Sequence, residues 1–357
     1  MQNPFTTTFS KSPENTYIPT EQADEIIENF NYDRPSESVY KITGVRGSGK
    51  TVILSKIEEE YRSEANRQNG WLVYALNPAR DMLKQLASML YEEKLTETEY
   101  KSKSISVSAS VLGNGAGFGV STEGRDDLFD IGFEIEKMLK GAQGQGRKVL
   151  IAVDEVSRTK YMVEFSLEFG KWLSLGYPVY MVCTGLYSNI DQLCNVSNLT
   201  FFRRATTIQT GPLNVVRMSE MYKNMLQIDP ATAREYAVKT MGYAYAFQEL
   251  GVVAFKRGGE TDKSVIFTEL KSELYAYSYE KIWEELTEED RFFIRCIDGN
   301  EKNKREDILK RMGQKAANYS VYRDRLKKRG IIRTTQGYVS LALPFFREYV
   351  EEYGRIL

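Results

Sequence analysis

The 357-residue sequence predicts an α/β protein with a three-layer core around a parallel sheet, followed by helices and by a C-terminal module of three helices and a hairpin. A β-branched run at residues 39–43 leads through a glycine-rich loop into a helix-compatible run at 52–61. A second run, of five apolar residues, ends in two acids at positions 154 and 155, which is typical of a buried parallel strand. Beyond residue 217 the apolar spacing becomes helical, and strand spacing returns at residues 330–341.

Composition restricts the chemistry that this chain can perform. The sequence contains no histidine, which excludes Ser-His-Asp and Cys-His hydrolases, His-ligated zinc enzymes and phosphotransfer through histidine. Any reaction is therefore expected to use carboxylates, lysine, arginine and a hard cation. The 48 basic and 49 acidic residues nearly cancel, so a nucleic-acid surface would have to be local. A chain of this length is expected to form two or three domains.

Cysteine usage and hydropathy predict the compartment. The three cysteines, Cys183, Cys194 and Cys296, form no C-x-x-C pair and are odd in number, which argues against a disulfide framework or a zinc site. No apolar run approaches the ~20 residues that cross a bilayer, and the first residues lack a signal-peptide pattern. We therefore expect a soluble cytoplasmic protein with no membrane partner.

Residues 44–51 read Gly-Val-Arg-Gly-Ser-Gly-Lys-Thr and match G-x-x-x-x-G-K-[ST], the phosphate loop of P-loop NTPases. The glycines permit backbone angles that turn successive N–H groups toward a polyphosphate at the start of a helix. Lys50 is expected to reach the β- and γ-phosphates, and the Thr51 hydroxyl to ligate Mg²⁺. The alternative is a glycine-rich turn without a ligand. The predicted nucleotide-binding residues are Gly44, Val45, Arg46, Gly47, Ser48, Gly49, Lys50 and Thr51.

Residues 146–155 form the second informative stretch, because they read as a buried strand that ends in Asp154 and Glu155. Open α/β sheets place their ligands at the carboxyl ends of their strands. The stretch resembles a Walker B strand, in which Asp154 would hold Mg²⁺ and Glu155 would orient and deprotonate the attacking water. An apolar strand before a solvated acidic turn is the alternative. The position about a hundred residues after a phosphate loop favours the Walker B interpretation.

Residues 178–185 read as another buried strand, with Thr184 near its end. In P-loop ATPases with an added strand between the loop strand and Walker B, the added strand lies beside the loop strand. Its terminal polar side chain contacts the γ-phosphate or the attacking water. Thr184 is therefore a candidate catalytic sensor; the alternative is a hydroxyl that caps the next helix.

Arg203 and Arg204 precede a last short strand at residues 206–210. Either arginine could supply a guanidinium to the γ-phosphate as a catalytic finger, in the same subunit or across an interface between copies. A surface pair bonded to nearby acids is the competing interpretation, and the sequence does not choose between the two arginines.

The remaining core segments follow ordinary signals. Residues 101–122 alternate around a Gly/Asn turn, which predicts a β-hairpin insertion at about 103–122. That hairpin is either an arm for a partner or a flexible or edge-packed insertion. Residues 1–20 are expected to be extended. Further predicted elements are a strand at 71–76 and helices at 21–30, 81–93 and 126–140.

The C-terminal third is predicted to be a helical region followed by a winged helix. Helices are expected at 218–226, 231–240, 244–256, 287–297, 305–312 and 316–329, before a strand, turn and strand. Between residues 301 and 333, twelve basic residues face four acidic ones, a local charge of +8. The stretch from Lys315 to Arg333 is thus a possible DNA-binding surface. A solvated face or a protein contact is the alternative.

Together these motifs resemble AAA+/STAND-like P-loop ATPases of the archaeal-ATPase family, relatives of the origin-recognition initiator ATPases. The resemblance covers nearly the whole chain. It implies a three-layer P-loop ATPase core of the ASCE type at residues 1–215, a helical lid at 216–282 and a winged helix at 283–357. Its weaker carriers are Asn3-Pro-Phe-Thr, Cys183-Thr-Gly-Leu-Tyr-Ser-Asn-Ile, Phe201-Phe-Arg-Arg, Gly242-Tyr-Ala-Tyr and Leu343-Pro-Phe-Phe-Arg-Glu-Tyr.

The resemblance implies ATP and Mg²⁺ as cofactors and hydrolysis coupled to assembly or conformational switching. The chain departs from the pattern in the lid, where Gly242-Tyr243-Ala244 replaces the Gly-x-Pro of STAND proteins and where residues 242–247 lack the arginine of initiators. The leading hypothesis is an Mg²⁺-dependent ATPase that acts on DNA or a protein partner, including another copy of itself. The main alternative is a slow or non-hydrolysing nucleotide-dependent switch.

Overall fold

The computed structural model describes residues 2–8, 13–95, 131–258, 262–299 and 302–354. The predicted hairpin at 103–122 lies outside these residues. The strands of the core are β1 (Val39–Thr43), β2 (Trp71–Leu76), β3 (Lys148–Val153), β4 (Val179–Gly185) and β5 (Thr206–Gln209). Its helices are α1 (Glu21–Asn31), α2 (Lys50–Arg62), α3 (Glu64–Gln68), α4 (Met82–Glu92), α5 (Ile131–Gly144), α6 (Lys160–Ser174), α7 (Tyr187–Cys194) and α8 (Thr200–Arg204).

The five core strands form one parallel sheet in the order β2-β3-β4-β1-β5. Strand β4 lies between β1 and β3, as predicted for an added strand beside the phosphate-loop strand. Every residue of β1 and β4 is buried, and five of the six residues of β3 are buried. Such continuous burial is typical of parallel strands covered by helices on both faces.

Two separate apolar layers cover the sheet, because successive side chains of each strand point to opposite faces. On one face, Tyr40 and Ile42 of β1 pack with Phe30 of α1 and Ile57 of α2. The opposite face of the sheet packs against α4, α5 and α6, and the apolar layer there includes Phe165 of α6. The predicted three-layer α/β core is therefore confirmed.

The second half of the described chain is mainly helical. Its elements are α9 (Val215–Leu226), α10 (Pro230–Lys239), α11 (Ala244–Arg257), α12 (Lys263–Leu274), a π-helical turn (Tyr275–Tyr279), α13 (Glu280–Glu284), α14 (Glu288–Arg295), β6 (Asn303–Lys304), α15 (Arg305–Met312), a 3-10 turn (Gly313–Asn318), α16 (Tyr319–Lys328), β7 (Ile332–Thr335), β8 (Tyr338–Leu341) and α17 (Phe346–Glu352). Strands β6, β8 and β7 form a small antiparallel sheet. The helix expected at 316–329 begins at Tyr319, because the 3-10 turn takes the preceding residues.

The helical region and the C-terminal module share one hydrophobic core. Trp283 and Phe346 lie in the same buried cluster as Met218 and Leu250. The expected boundary at 282/283 falls within the continuous helical run of α12, the π-turn and α13. Neither the shared core nor the helical run marks a boundary at this point, so the division into a lid and a winged helix stays a prediction. Within the described residues, no helix has the length and apolar character needed to span a bilayer.

Candidate functional site: a cleft at the phosphate loop

The glycine-rich loop connects the carboxyl end of β1 to the first turn of α2, as predicted. Gly47 and Gly49 have φ angles of 74° and 88°, in the left-handed region that favours glycine. A Cβ atom on Gly47 would lie 2.4 Å from the Tyr243 hydroxyl oxygen, and one on Gly44 would lie 2.0 Å from Thr210 Oγ1. The loop thus needs glycine for its dihedral angles and also for close packing.

Lys50, the first residue of α2, points back over the loop. Its Nζ donates hydrogen bonds to the carbonyl oxygens of Gly44 at 3.0 Å and Val45 at 2.9 Å. Burial lowers the pKa of Lys50 to about 8, an effect that the nearby carboxylates of Asp154 and Glu155 partly oppose. The ammonium is therefore held in the cradle, desolvated and close to two acids.

Asp154, which follows β3, forms hydrogen bonds with the loop helix α2 and with strand β4. Its Oδ2 accepts a hydrogen bond of 2.9 Å from the Thr51 hydroxyl. Its Oδ1 accepts from the Thr184 hydroxyl and, at 3.1 Å, from the backbone N–H of Glu155. The same Glu155 N–H lies 3.1 Å from Thr184 Oγ1. Residues that are distant in sequence, 51, 154 and 184, thus converge on one carboxylate.

Thr184 is fully buried, and its hydroxyl contacts Asp154 and the backbone N–H of Glu155. The alternative role, capping the next helix, is not observed, because Leu186 is the N-cap of α7. Glu155 itself is exposed, lines the cleft and has a φ of 53°, which is uncommon for a residue with a side chain.

The donor set at Thr51 and Asp154 fits a hard cation. A hydroxyl and a carboxylate oxygen already lie 2.9 Å apart, and oxygen ligands of this kind are those that Mg²⁺ prefers. These two residues would hold the ion, which would neutralise phosphate charge.

The cleft beside the loop has a volume of about 710 Å³. Its lining includes Lys50, Thr51, Glu155 and also Asn189 of α7. The segment before α1 forms another wall. Phe5 packs against Tyr222 and Phe247 with ring centroids 5.6 and 5.8 Å apart, which fixes the adjacent threonines over the cleft. This N-terminal wall was noted in the sequence only through its resemblance to the family.

Two tyrosines at the start of α11 contact the loop directly. The Tyr243 hydroxyl donates to the carbonyl oxygen of Arg46 at 2.6 Å, and it also lies 2.7 Å from Ser278 Oγ. The backbone N–H of Tyr245 donates to the carbonyl oxygen of Gly47 at 3.0 Å. The segment Gly242–Tyr245 therefore meets the loop through hydrogen bonds to its carbonyls, without the lid arginine of initiators. The sequence indicates this segment through its resemblance to the lid, but no sequence pattern marks the two tyrosines as loop contacts.

Arg203 and Arg204 lie away from the cleft of their own chain. They end α8 and precede β5, which runs parallel to β1 with Thr206 beside Tyr40 and Gln209 beside Thr43. The arginines therefore lie near the amino-terminal ends of the strands, whereas the loop lies at their carboxyl ends. Both are exposed, and Arg203 Nε donates to the carbonyl oxygen of Cys194. A finger within the same subunit is incompatible with this position; a finger across an interface between copies stays a prediction.

The +8 stretch of the C-terminal module is less available than the sequence suggested. Arg325 and Arg329 form ion pairs with the buried carboxylate of Asp290 at 2.6 and 3.5 Å. Arg333 donates to the carbonyl oxygen of Met241 at 2.7 Å. These internal contacts remove three guanidinium groups from a potential surface. Basic residues of this stretch that are exposed are Lys302, Lys304, Arg305, Lys310, Arg311, Lys315, Lys327 and Lys328.

Comparisons with known proteins agree with this architecture. A family model described as a domain of unknown function, DUF8462, matches residues 276–350. No curated protein matches the chain. A Walker-type ATPase of Pyrococcus abyssi covers 94% of this chain and 96% of its own length, with 13% identity and a TM-score of 0.55. The ORC2 protein of Aeropyrum pernix, solved as ADPNP-ADP complexes, covers 94% of this chain and 95% of its own, with 11% identity and a TM-score of 0.52.

At these identities the similarity concerns the fold. Both structures align over nearly their full lengths, so the likeness includes the helical region and the C-terminal module. The chain therefore shares the overall fold of these two structures.

Proposed function

We propose that this protein is an Mg²⁺-dependent ATPase. The observation that carries the proposal is the meeting of Thr51, Asp154 and Glu155 beside the Lys50 ammonium, at the start of a glycine-preceded helix. Phosphoryl transfer needs mainly positioning and charge stabilisation, and these groups supply both. The two similar structures, a Walker-type ATPase and an ORC2 protein in complex with ADPNP and ADP, support ATP as the nucleotide.

Each residue has a distinct proposed role. Lys50 would leave the carbonyl oxygens of the loop and bind the β- and γ-phosphates, while the loop N–H groups hold the rest of the polyphosphate. Thr51 and Asp154 would hold the ion. Glu155, the exposed carboxylate of the cleft, would orient and deprotonate the attacking water. Thr184 would position Asp154 and the backbone of Glu155 through its two contacts.

The test separates binding from turnover. Calorimetric titration of the protein with ATP and Mg²⁺ should give saturable binding, and steady-state phosphate release should be measurable. Substituting Glu155→Gln should remove turnover and leave ATP binding intact. Glu164→Gln, on the exposed side of α6, is the matched control and should behave as the wild type. A flat titration of the wild type would refute the proposal.

A nucleotide-dependent switch is the second candidate function. It is favoured by one contact: the loop residue Arg46 forms a 2.8 Å ion pair with Glu285, at the start of the C-terminal module. Such a switch would bind ATP tightly and show no measurable turnover even before Glu155 is changed.

We further propose that residues 283–357 form a winged helix that binds DNA or a protein partner. Exposed lysines on α15 and α16, including Lys310, Lys327 and Lys328, support a polyanionic partner. An oligomer in which Arg203 or Arg204 serves a neighbouring copy is part of the same proposal. The cytoplasm is the proposed compartment, because all three cysteines are free thiols.

A further inference from the structure

Val45 and Arg46, two residues that the phosphate-loop motif leaves unspecified, contact the C-terminal module. Val45 is 7% exposed and belongs to the hydrophobic core of the helical half, not to the core of the sheet. A Cβ atom added to Gly330, which follows α16, would lie 3.4 Å from the backbone nitrogen of Val45, so the two backbones are close. Arg46 Nη2 lies 2.8 Å from Glu285 Oε1. The outer turn of the loop is therefore a docking point for this module.

Glu285 is anchored in the module by its own backbone. Its carbonyl oxygen accepts a hydrogen bond of 2.9 Å from Arg329 Nη1. Arg329 and Arg325 both pair with Asp290, which is fully buried and closes a capping box with Thr287 at the start of α14. The backbone of the residue that holds Arg46 is thus tied to the charged cluster around Asp290.

A second contact joins the core to the end of α16. The Gln209 side-chain amide, on β5, donates to the carbonyl oxygen of Lys327 at 2.7 Å. Together with Val45 and Arg46, it makes the module pack on the loop side of the sheet.

Arg46 borders the cleft that would take the nucleotide, while its guanidinium is paired with Glu285. It lines that cleft with Lys50 and Glu155. The ion pair with Glu285 is half-exposed, with 44% and 36% of the two side chains accessible, and such solvent-screened pairs contribute little to stability. A polyphosphate offers more negative charge and can accept two parallel N–H bonds from a guanidinium. It would therefore compete effectively with Glu285 for Arg46.

We propose that Arg46 exchanges Glu285 for a phosphate group when a nucleoside triphosphate binds, and that this exchange loosens the docking of the C-terminal module. The inference rests on the proposed nucleotide site. The backbone of Arg46 stays in place, because its carbonyl oxygen is held by the Tyr243 hydroxyl at 2.6 Å. Only the side chain needs to turn. By linkage, the docked module must weaken triphosphate binding by the same factor that the triphosphate weakens docking.

Neutralising Glu285 tests the coupling. In Glu285→Gln the affinity for a non-hydrolysable ATP analogue with Mg²⁺ should rise about three- to fivefold, since Arg46 loses its competitor. Affinity for ADP should rise less, because a diphosphate has fewer oxygens to offer. The matched control is Glu284→Gln, which removes the same charge one residue earlier, where the carboxylate pairs with Lys281. The control should leave both affinities unchanged.

Hydrogen exchange on the full chain provides the second measurement. In the wild type, the ATP analogue should increase amide exchange at residues 283–299 and 319–335, whereas in Glu285→Gln exchange there should already be raised without nucleotide. Equal affinities for Glu285→Gln and Glu284→Gln would overturn the coupling, and so would analogue binding that leaves exchange of the module unchanged. No analogue binding by the folded wild type would refute the nucleotide site itself, a distinguishable failure.

Discussion

The Thr51 hydroxyl lies 2.9 Å from Asp154 Oδ2, although the two residues are 103 positions apart in the sequence. Thr51 belongs to the first turn of the loop helix, and Asp154 follows the buried strand β3. Because β4 separates β1 from β3, Asp154 reaches the loop across an intervening strand, and Thr184 of that strand also bonds to Asp154. This carboxylate is therefore the point at which the loop, the acidic strand and the added strand meet.

Replacing that carboxylate should separate metal binding from nucleotide binding. In Asp154→Asn we expect Mg²⁺ to stimulate neither ATP binding nor turnover, with phosphate release lower by about 100-fold or more. ATP binding without Mg²⁺ should change little. Asp191→Asn, on the exposed side of α7, is the control. Metal-dependent turnover that survives in Asp154→Asn would contradict the assignment of Asp154 as the metal ligand.

Nucleotide affinity should depend on pH through Lys50. Its pKa of about 8, lowered from 10.5 by burial, means that the amine loses its proton as pH rises past 8. ATP needs the charged form, so affinity should fall between pH 7 and 9, and binding at pH 8 should take up about half a proton. Calorimetry in two buffers of different ionisation enthalpy measures this uptake.

The same shift has an opposite effect on stability. Between pH 8 and 10.5 the unfolded chain binds more protons at Lys50 than the folded chain does, so this group makes folding more favourable as pH rises in that window. Lys50→Met should remove both pH effects. An affinity independent of pH from 7 to 9 would argue against a buried, partly deprotonated Lys50.

A methyl group at Gly47 should disrupt the contact between loop and helical region. The residue has a φ of 74°, and its Cβ would lie 2.4 Å from the Tyr243 hydroxyl oxygen. In Gly47→Ala we expect a loss of about 1–3 kcal/mol in the free energy of unfolding, with weaker ATP binding. Gly144→Ala, where a Cβ meets nothing within 4 Å, should leave both unchanged. Thermal denaturation and calorimetry measure the difference.

On the proposal that α16 binds DNA, removing the charge of its exposed lysines should weaken binding. For Lys327→Gln with Lys328→Gln we expect weaker duplex binding and a salt dependence whose logarithmic slope is reduced by about 2. A control pair on the core, Lys84→Gln with Lys160→Gln, removes the same charge from exposed sites elsewhere. An unchanged slope in the α16 variant would place any nucleic acid on another surface.

The local elements were largely predictable. The strand expected at 71–76 is β2 to the residue, and the loop helix begins at Lys50 as the motif requires. The helix α6, the short α8 and the π-helical turn were not predicted; the last two are too short to show the periodicity of a full helix. Sequence also overestimated the free charge of the C-terminal module, since charge counting does not detect that Arg325 and Arg329 pair with a buried Asp290.

The sequence by itself determined the phosphate loop, the acidic strand end and the α/β class of the core, because glycine geometry and continuous apolar runs are local properties of a chain. Only the tertiary structure decided which partners meet. It brought the Thr184 hydroxyl to Asp154, the Tyr243 hydroxyl to the carbonyl oxygen of Arg46, and the Glu285 carboxylate to the Arg46 guanidinium. It also placed Arg203 and Arg204 near the amino-terminal ends of the strands, away from the loop. Such contacts join residues 30 to 239 positions apart, and their geometry depends on how whole helices pack, which no local pattern specifies.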